Sequence, residues 1–451
     1  MTLAVELTPA PDPLDACARF TGLPHVVFLD SSARGALGRY SFLTADPMTL
    51  VGQSSDPLAT ARALLAPHHR SPLPGLPPFQ GGIAGYVGYD WGAEQERVRR
   101  PVGGGHGVPD AVFGLYDWTI AWDHLEDRAW IMAWEQERLA WVRERLNTPP
   151  RTRSAVLPLA SPSSVRSNFA RHEFESAVTR IREYIAAGDV YQVNLAQRFR
   201  TPFTGAPLEL YRRLRARSPA PFGALLAFGD LTVASISPER FLRLEAVSRV
   251  AEARPIKGTR PRGATPAEDA TLAQALTASE KDRAENVMIV DVLRNDLGKV
   301  CRPGSVRAPE LCALESHPTV HHLVSTVTGV LADGADPFDL VRAGFPGGSV
   351  TGAPKIRAMQ IIAELERAPR GVYCGAIGYI SATGSLDLNI PIRTVVLRDG
   401  VASFHAGAGI VWDSDPAAEY DETLAKARAL IEALTSPRKT SRTRGRARRP
   451  A

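Results

Sequence analysis

The sequence predicts an α+β protein built on antiparallel sheets, and three observations lead there. Strand-like runs follow one another directly, at 223–228, 231–237 and 241–256, where a doubly wound parallel sheet would insert a helix after each strand. Helical patterns gather separately, at 266–296, 337–343, 353–367 and 416–434. No repeat of 20 to 50 residues interrupts this order. At 451 residues the chain exceeds what one ordinary core needs, so it forms two domains or one large, elaborated unit.

Along the chain, HVVFLD (25–30) and GGIAGYVGYD (81–90) read as strands, and the Trp-rich DWTIAWDHLEDRAWIMAWEQE (117–137) as a hairpin entering a helix. Pro-rich stretches at 68–79 and 147–164 break the pattern, and the second places a division near residue 160. This gives a region 1–160, a region 161–435 and a tail 436–451. After the division, Phe174, Ala177, Val178, Ile181 and Ile185 recur at helical spacing before Gly188, which predicts a helix over 171–187. GDVYQVNLAQRF then alternates as a strand, with Gln192, Asn194 and Arg198 on one face and Val193, Leu195 and Phe199 on the other. Further strands are expected at 318–330, 373–382 and 386–411.

Composition excludes several classes. No apolar run approaches the roughly 18 residues a bilayer span requires, and no secretory signal is visible, so a cytoplasmic protein without membrane contact is expected. The four cysteines, Cys17, Cys301, Cys312 and Cys374, form no CxxC pair. The net charge of +5 comes from the last sixteen residues, which hold seven basic side chains and no acid; without them the formal charge is −2. Dense like charge predicts disorder in that tail, and nucleic-acid binding is confined to it as a minor reading.

Several segments offer chemistry. FPGGSVTGAPK (345–355) leads into a helix, with Pro354 suited to its first turn and an anion favoured at its start; Ala353 and Pro354 stand where a phosphate loop needs Lys and Ser/Thr, which excludes nucleotide binding. Asp282 and Glu285 share one helix face and Glu419 and Glu422 another, a carboxylate set suited to Mg²⁺ or simply to offsetting helix dipoles. The histidines of LESHPTVHHLVS lack a zincin pattern, and one facing a pocket as a hydrogen-bond donor is expected. Arg393 is expected on a strand, either clamping a carboxylate or pairing at the surface. RPIKGTRPRG (254–263) sets a lone amine, Lys257, in a turn-like segment.

Taken in order, GDVYQVNLAQRF, SISPERF, RPIKGTRPRG, KDRAENVMIVDVLRNDLG, VHHLVSTVTG, FPGGSVTGAPK, YCGAIGYI, NIPIRT and AGAGIVWDSDPAAEYDET resemble the chorismate-utilising enzymes over most of residues 165–435. The resemblance implies one large α/β unit with two facing antiparallel sheets and helices outside. It implies a chorismate pocket in which Glu285, Glu422 and Glu419 hold Mg²⁺. Arg393 and Tyr373, with amides around Gly407 and Gly409, would take a substrate carboxylate, and Gly258, Thr259, His322, Ser349 and Lys426 would line the rest. Glu239, in SPER, is implied in proton transfer. Gln192 stands where water-adding members carry a lysine base. Lys257, in the PI-x-GT motif, stands where anthranilate, isochorismate and salicylate synthases usually carry alanine, and it is shared with the members that aminate C4. The anthranilate-forming branch is the rival. No glutaminase-like Cys/His/Glu arrangement is apparent, so a glutamine amidotransferase subunit is implied as the ammonia donor. LDSS and GRYSF resemble a tryptophan pocket, with Ser31 on its wall and Asp30 replacing the usual glutamate.

Overall fold

The computed structural model describes residues 2–52, 54–101, 107–149, 160–317 and 320–435, so the basic tail lies outside the described residues. Two sheets organise it, and every strand pairing among the described residues is antiparallel. The first, of twelve strands, runs from Leu3–Leu7 through Arg128–Ala133, Trp118–Asp123, Tyr40–Thr44 and Val26–Asp30 to Phe222–Phe228, Leu231–Ser237, Thr394–Arg398, Val401–Ile410 and Gln192–Pro202. The second, of ten strands, runs from Ile256–Pro261 through Val320–Val330, Val250–Ala253, Arg240–Leu244, Leu386–Asn389 and Ala376–Ser381 to Gly82–Val87, Ala111–Tyr116 and Thr49–Val51. Strands from either side of residue 160 share both sheets: Val26–Asp30 pairs with Phe222–Phe228, and Gly82–Val87 with Ala376–Ser381.

Strand alternation explains how the sheets stack. In Val26–Asp30, Val27 joins a core facing the second sheet, while Phe28 joins a core beneath the helices. Phe42 of the first sheet meets Tyr379 of the second edge to face, with ring centroids 5.3 Å apart. The first sheet's outer face is covered by apolar stripes such as Leu139 and Val142 of Gln136–Asn147 and Leu430 and Leu434 of Pro416–Thr435. Two facing sheets with helices outside are therefore the architecture, because a sheet buried on both faces needs an apolar layer on each.

The helix expected at 171–187 is Arg171–Ala186, with Phe174, Ala177, Val178 and Ile181 buried and Gly188 at φ +81° beyond its end. The Trp-rich hairpin and its helix are Trp118–Asp123, Arg128–Ala133 and Gln136–Asn147. Three expected elements divide. The 266–296 helix is two, Pro266–Thr277 and Glu280–Gly298, because the Ser279 hydroxyl accepts from the Asp282 amide at 3.2 Å and starts a new helix. The 386–411 strand is three, broken by Pro391, by Arg393 at φ +52° and by a turn at Asp399–Gly400. The 241–256 strand breaks where the Glu245 carboxylate accepts the Val247 amide. A strand at Arg307–Ser316 was not expected; it is largely exposed, and its pairing with Val320–Val330 shifts register twice.

Candidate active site

Between the sheets lies a cavity of about 610 Å³ whose wall holds Lys257, Glu239, Gly258, Thr259, His322, Ser349, Tyr373, Arg393, Gly407, Gly409, Lys426, Glu285, Glu419 and Glu422. Of the expected site residues, Ser31 alone lies elsewhere.

The amine is set by a bulge. Ile256–Pro261 pairs with Val320–Val330, and the register shifts between Ile256 and Thr259, so Lys257 and Gly258 together oppose Leu323, one residue too many, and the lysine is re-aimed. Gly258 holds φ +84°, and a Cβ there would come within 3.0 Å of the Asp282 side chain. The segment that reads as a turn is thus a bulged strand. Lys257 Nζ donates to Gln192 Oε1 at 3.3 Å and to the Ser349 carbonyl at 3.1 Å, both neutral acceptors. Burial lowers its pKa, with Glu285 and Glu239 opposing the shift. Gln192 turns its other end to Glu285, donating from Nε2 at 3.0 Å, so one amide links the lysine to the carboxylate wall.

Glu239 is buried, and burial raises its pKa against the Ser349 hydroxyl that donates to it at 2.6 Å. A carboxyl pushed towards protonation next to an amine driven towards neutrality is suited to give a proton beside a nucleophile. His322 shares a hydrogen bond with the Thr259 hydroxyl at 2.8 Å, and burial first, then His317 and Arg393, take its pKa down to about 4. Its imidazole is neutral near pH 7.

Arg393 sits in the left-handed link before Thr394–Arg398, not on a strand as expected, because Pro391 cannot extend the Leu386–Asn389 ladder. Its Nη1 donates to Ser218 at 3.4 Å; among the described residues no carboxylate pairs with it, and burial lowers its pKa. A half-buried guanidinium facing the cavity, with no protein carboxylate beside it among the described residues, suits a ligand carboxylate. Tyr373 stacks on His405 beside it, centroids 5.0 Å apart. A Cβ at Gly407 would come within 3.0 Å of the Tyr373 hydroxyl, and one at Gly409 within 2.9 Å of Gln192 Nε2, so both glycines leave room for neighbouring side chains.

Opposite, the starts of two helices present acids. Asp415 caps Pro416–Thr435 by accepting from the Ala418 amide at 2.9 Å, setting Glu419 and Glu422 on the cavity side. Glu419 accepts from Ser414 at 2.7 Å; Glu422 pairs with Lys426 at 2.7 Å, and Lys426 also donates to the Gly407 carbonyl. Burial raises the pKa of Glu285 and Glu419, with Glu422 adding to the latter. Among the described residues no group of three or more His, Cys, Asp or Glu side chains is placed to hold a metal ion.

The glycine-rich loop differs from expectation. Gly348–Val350 is a short 3₁₀ turn that delivers Ser349, whereas Pro354 precedes Lys355–Leu365 as its cap residue with extended ψ 140°. At that helix start Lys355 pairs with buried Asp296 at 2.6 Å, away from the cavity, so the anion expected there has no place in this site.

Asn194, Lys281, Asp282 and His405 also line the cavity. Alternation with Gln192 points to Asn194, and the Glu285 helix face to Asp282; no sequence signal singles out Lys281 or His405. Ser31 lies in a second cavity of about 440 Å³, where its hydroxyl stands 2.7 Å from both the Tyr40 and Pro221 carbonyls. Asp30 beside it is buried against the Tyr211 hydroxyl and Arg215. No helix among the described residues is long and apolar enough to cross a membrane.

A family model described as chorismate binding enzyme matches residues 30–432. Aminodeoxychorismate synthase component 1 of Klebsiella aerogenes is 44% identical, the match covering 87% of this chain and 84% of that one. Anthranilate synthase component 1 of Streptomyces coelicolor is 41% identical, covering 94% and 86%. An aminodeoxychorismate synthase of Streptomyces pristinaespiralis is 44% identical over 87% of this chain but only 55% of its own length. Among solved structures, anthranilate synthase component I of Streptococcus pneumoniae superposes with TM-score 0.77 at 33% identity, covering 88% of this chain and 93% of that one. With that match along most of its length and the cavity just described, the chain belongs to the chorismate binding enzyme family and is a chorismate-utilising enzyme.

Proposed function

We propose that the chain is component I of an aminodeoxychorismate synthase, which aminates chorismate at C4, retains the pyruvyl group and yields 4-amino-4-deoxychorismate for 4-aminobenzoate and folate. The observation that carries this reading is Lys257: a buried amine with a lowered pKa, facing the cavity beside a carboxyl whose pKa is raised.

In the proposed course, neutral Lys257 forms a bond to C2, the ring double bonds shift, and the C4–O bond breaks as Glu239 gives its proton to the departing water. Ammonia then bonds to C4 and gives a proton back to Glu239, the double bonds return, and the C2–N bond breaks to release Lys257 as the neutral amine. Arg393 and Tyr373 hold a substrate carboxylate, and His322, neutral near pH 7, contacts the ring region. Glu285, Glu419 and Glu422 are proposed to hold Mg²⁺: all three line the cavity and two have pKa values raised by burial, so a hard cation drawn between them would offset their charge and keep positions for a substrate oxygen, although the three do not converge on one point in the structure. The ion would supply Lewis-acid polarisation of the ring carboxylate. Ammonia is proposed to come from a glutamine amidotransferase partner, in keeping with the "component 1" in the names of two relatives. The second cavity, with Ser31 on its wall, is proposed to take tryptophan.

A second reading, anthranilate synthase component I, draws on the 41% identity to the Streptomyces coelicolor enzyme. It requires ammonia at C2, the position where Lys257 intrudes. The test is product identification with purified protein, chorismate, Mg²⁺ and ammonium: 4-aminobenzoate formed only after an added lyase supports the proposal, and anthranilate formed directly overturns it.

A further inference from the structure

The strand that aims Lys257 has little sheet to hold it. Ile256–Pro261 lies at the end of the ten-stranded sheet, so among the described strands it pairs with Val320–Val330 alone, and the ladder between them lapses at the lysine itself. A bulged strand at a sheet edge stays in place only if something outside the ladder fixes it. The Pro266–Thr277 helix, which takes no part in the chemistry proposed above, meets it at two points. Under the bulge, Leu276 of the helix joins a small buried cluster with Cys312 and Leu323, and Leu323 is the residue opposite Lys257 and Gly258. A Cβ at Gly258 would come within 3.1 Å of the Leu276 side chain, so helix and bulge are in direct contact. Towards the other end of the helix, the Asp269 carboxylate accepts from Arg262 Nε at 2.7 Å and Nη2 at 2.6 Å, from the Gly263 amide at 2.8 Å and from His321 Nε2 at 2.9 Å. Gly263 permits this approach, because a Cβ there would collide with the backbone of Asp269. The hydrogen bond from Arg262 holds the Asp269 carboxyl well below the usual carboxylate range, so it acts as an acceptor only. The hydrogen of buried His321 therefore sits on Nε2, and its Nδ1 accepts from the Ser316 hydroxyl, 2.8 Å away.

We propose that Asp269 is a positioning residue for the reaction, which holds the bulge under Lys257 in place from outside the cavity. The inference rests on the reading of Lys257 as the reacting amine. Alternation along Val320–Val330 makes the connection: His321 and Leu323 face the helix, and His322 between them lines the cavity, where it meets the Thr259 hydroxyl. Arg262 and Gly263 follow directly on the strand that carries Lys257, Gly258 and Thr259. Asp269 thus fastens both strands on their outer side, within a few residues of the two groups that face the substrate, and touches neither. Beyond the bulge the ladder offers little else: Thr259 opposes His322, Arg260 opposes His321, and Pro261, opposite Val320, has no amide to donate. Arg260 adds one brace, donating to Asp282 at 2.9 Å. A reacting atom displaced by about 1 Å loses on the order of 10²-fold in rate, so a tie of this kind acts on the chemistry at a distance.

The test compares Asp269→Asn, His321→Leu and His321→Gln in the full chain, with chorismate, Mg²⁺ and ammonium. Asp269→Asn sets an amide donor against the Arg262 donors and is expected to lower kcat on the order of 10²-fold. KM for chorismate is expected to stay within about twofold, because Arg393 and Tyr373 lie on other segments. His321→Leu is expected to lose about tenfold in kcat, while His321→Gln, which keeps a donor for Asp269, stays within about threefold of the wild type. The pH profile separates positioning from stability alone. Burial first lowers the pKa of Lys257, which faces Glu285, Glu239, Lys426 and Glu422; a loosened bulge admits water, that pKa rises, and the rising limb moves to higher pH in Asp269→Asn. Loss of the Asp269 charge by itself would move the limb to lower pH. A urea midpoint that falls while kcat and the limb stay put overturns the proposal and leaves Asp269 a structural tie, and so does a rise in KM with kcat intact. Should Asp269→Asn not fold, the His321 pair decides: a loss confined to His321→Leu supports the proposal, and equal kcat in the two overturns it. A wild-type kcat that Lys257→Met leaves unchanged overturns the reading of Lys257, and this inference with it.

Discussion

The two cavities between the sheets differ in how their buried charges are matched. In the cavity around Ser31, Asp30 meets Arg215 at 2.7 Å, Arg240 meets Asp387 at 2.9 Å and Glu252 at 3.1 Å, and Arg39 meets Asp123 at 2.7 Å. In the cavity around Lys257, the lysine and Arg393 hydrogen-bond only to neutral oxygens, and among the described residues neither has a carboxylate within ion-pairing distance. Pairing repays desolvation, so the first arrangement is one that stability alone favours. Charges held without counter-charges are destabilising, and they persist where a ligand completes them. The difference favours the Lys257 cavity as the seat of the proposed chemistry, although that cavity also holds the Lys426–Glu422 pair.

The comparison breaks most easily at Lys257. Lys257→Met keeps the bulk beside the substrate but removes the amine. If the lysine attacks C2, ammonium-dependent formation of 4-amino-4-deoxychorismate falls on the order of 10⁴-fold; if it only fills space, turnover survives. Because a polar amine is costly to desolvate, thermal denaturation of the variant is expected at or above the wild-type midpoint.

Glu239→Gln comes next, with loss of about 10²-fold in kcat. Its pH profile is the sharper readout. The reactive state needs Lys257 neutral and Glu239 protonated. Since the lysine pKa is lowered, its neutral fraction grows as pH rises through that depressed value; since the glutamate pKa is raised, its protonated fraction shrinks as pH rises through that elevated value. The wild type is therefore expected to show a bell, and the variant to keep the rising limb and lose the alkaline fall. A variant profile that still falls at high pH would assign that limb to another group.

Arg393→Ala removes a cation without a protein partner. Losing charge-assisted hydrogen bonds worth about 1.5–3 kcal/mol raises KM for chorismate roughly 10- to 150-fold, with little loss of stability. Unchanged KM would mean that the guanidinium does not meet the substrate.

Much of this was legible in the sequence, for identifiable reasons. Spacing alone shows that Asp282 and Glu285 share one helix face and Glu419 and Glu422 another, but it was the resemblance that joined Glu285, Glu419 and Glu422 across two helices. The order of motifs carried the family and so the facing sheets. What escaped depends on contacts distant in sequence or on single backbone angles. The chain Lys257–Gln192–Glu285 joins three segments by amide hydrogen bonds that no local pattern records. The bulge that aims Lys257 and the left-handed turn at Arg393 are non-repetitive conformations, so periodicity reads one as a turn and the other as strand. The break at Ser279 carries a signal in SEKD, a Ser-x-x-Asp capping pattern, but helix-forming residues on both sides of it let the two helices read as one. Tyr191, Val287, Ile356 and Trp412 look like core residues in the sequence, yet the fold leaves all four exposed.

Ser31→Ala tests the other side of the comparison and has the smallest expected effect. The hydroxyl lies within hydrogen-bond reach of the Tyr40 and Pro221 carbonyls, which tie the end of Val26–Asp30 to its neighbours in the first sheet. Removing it is expected to lower stability by about 1 kcal/mol, read as an earlier urea midpoint. Ammonium-dependent kcat should stay unchanged, because no hydrogen bond of this residue reaches the Lys257 cavity. Tryptophan titrated calorimetrically into wild type and variant separates a binding wall from a structural tie: saturable heat that weakens in the variant supports the proposed pocket, whereas heat absent from both leaves Ser31 a tie in the sheet. A fall in kcat would mean that the two cavities are coupled through the shared sheets, and that the paired charges of the second cavity help set the unpaired ones of the first.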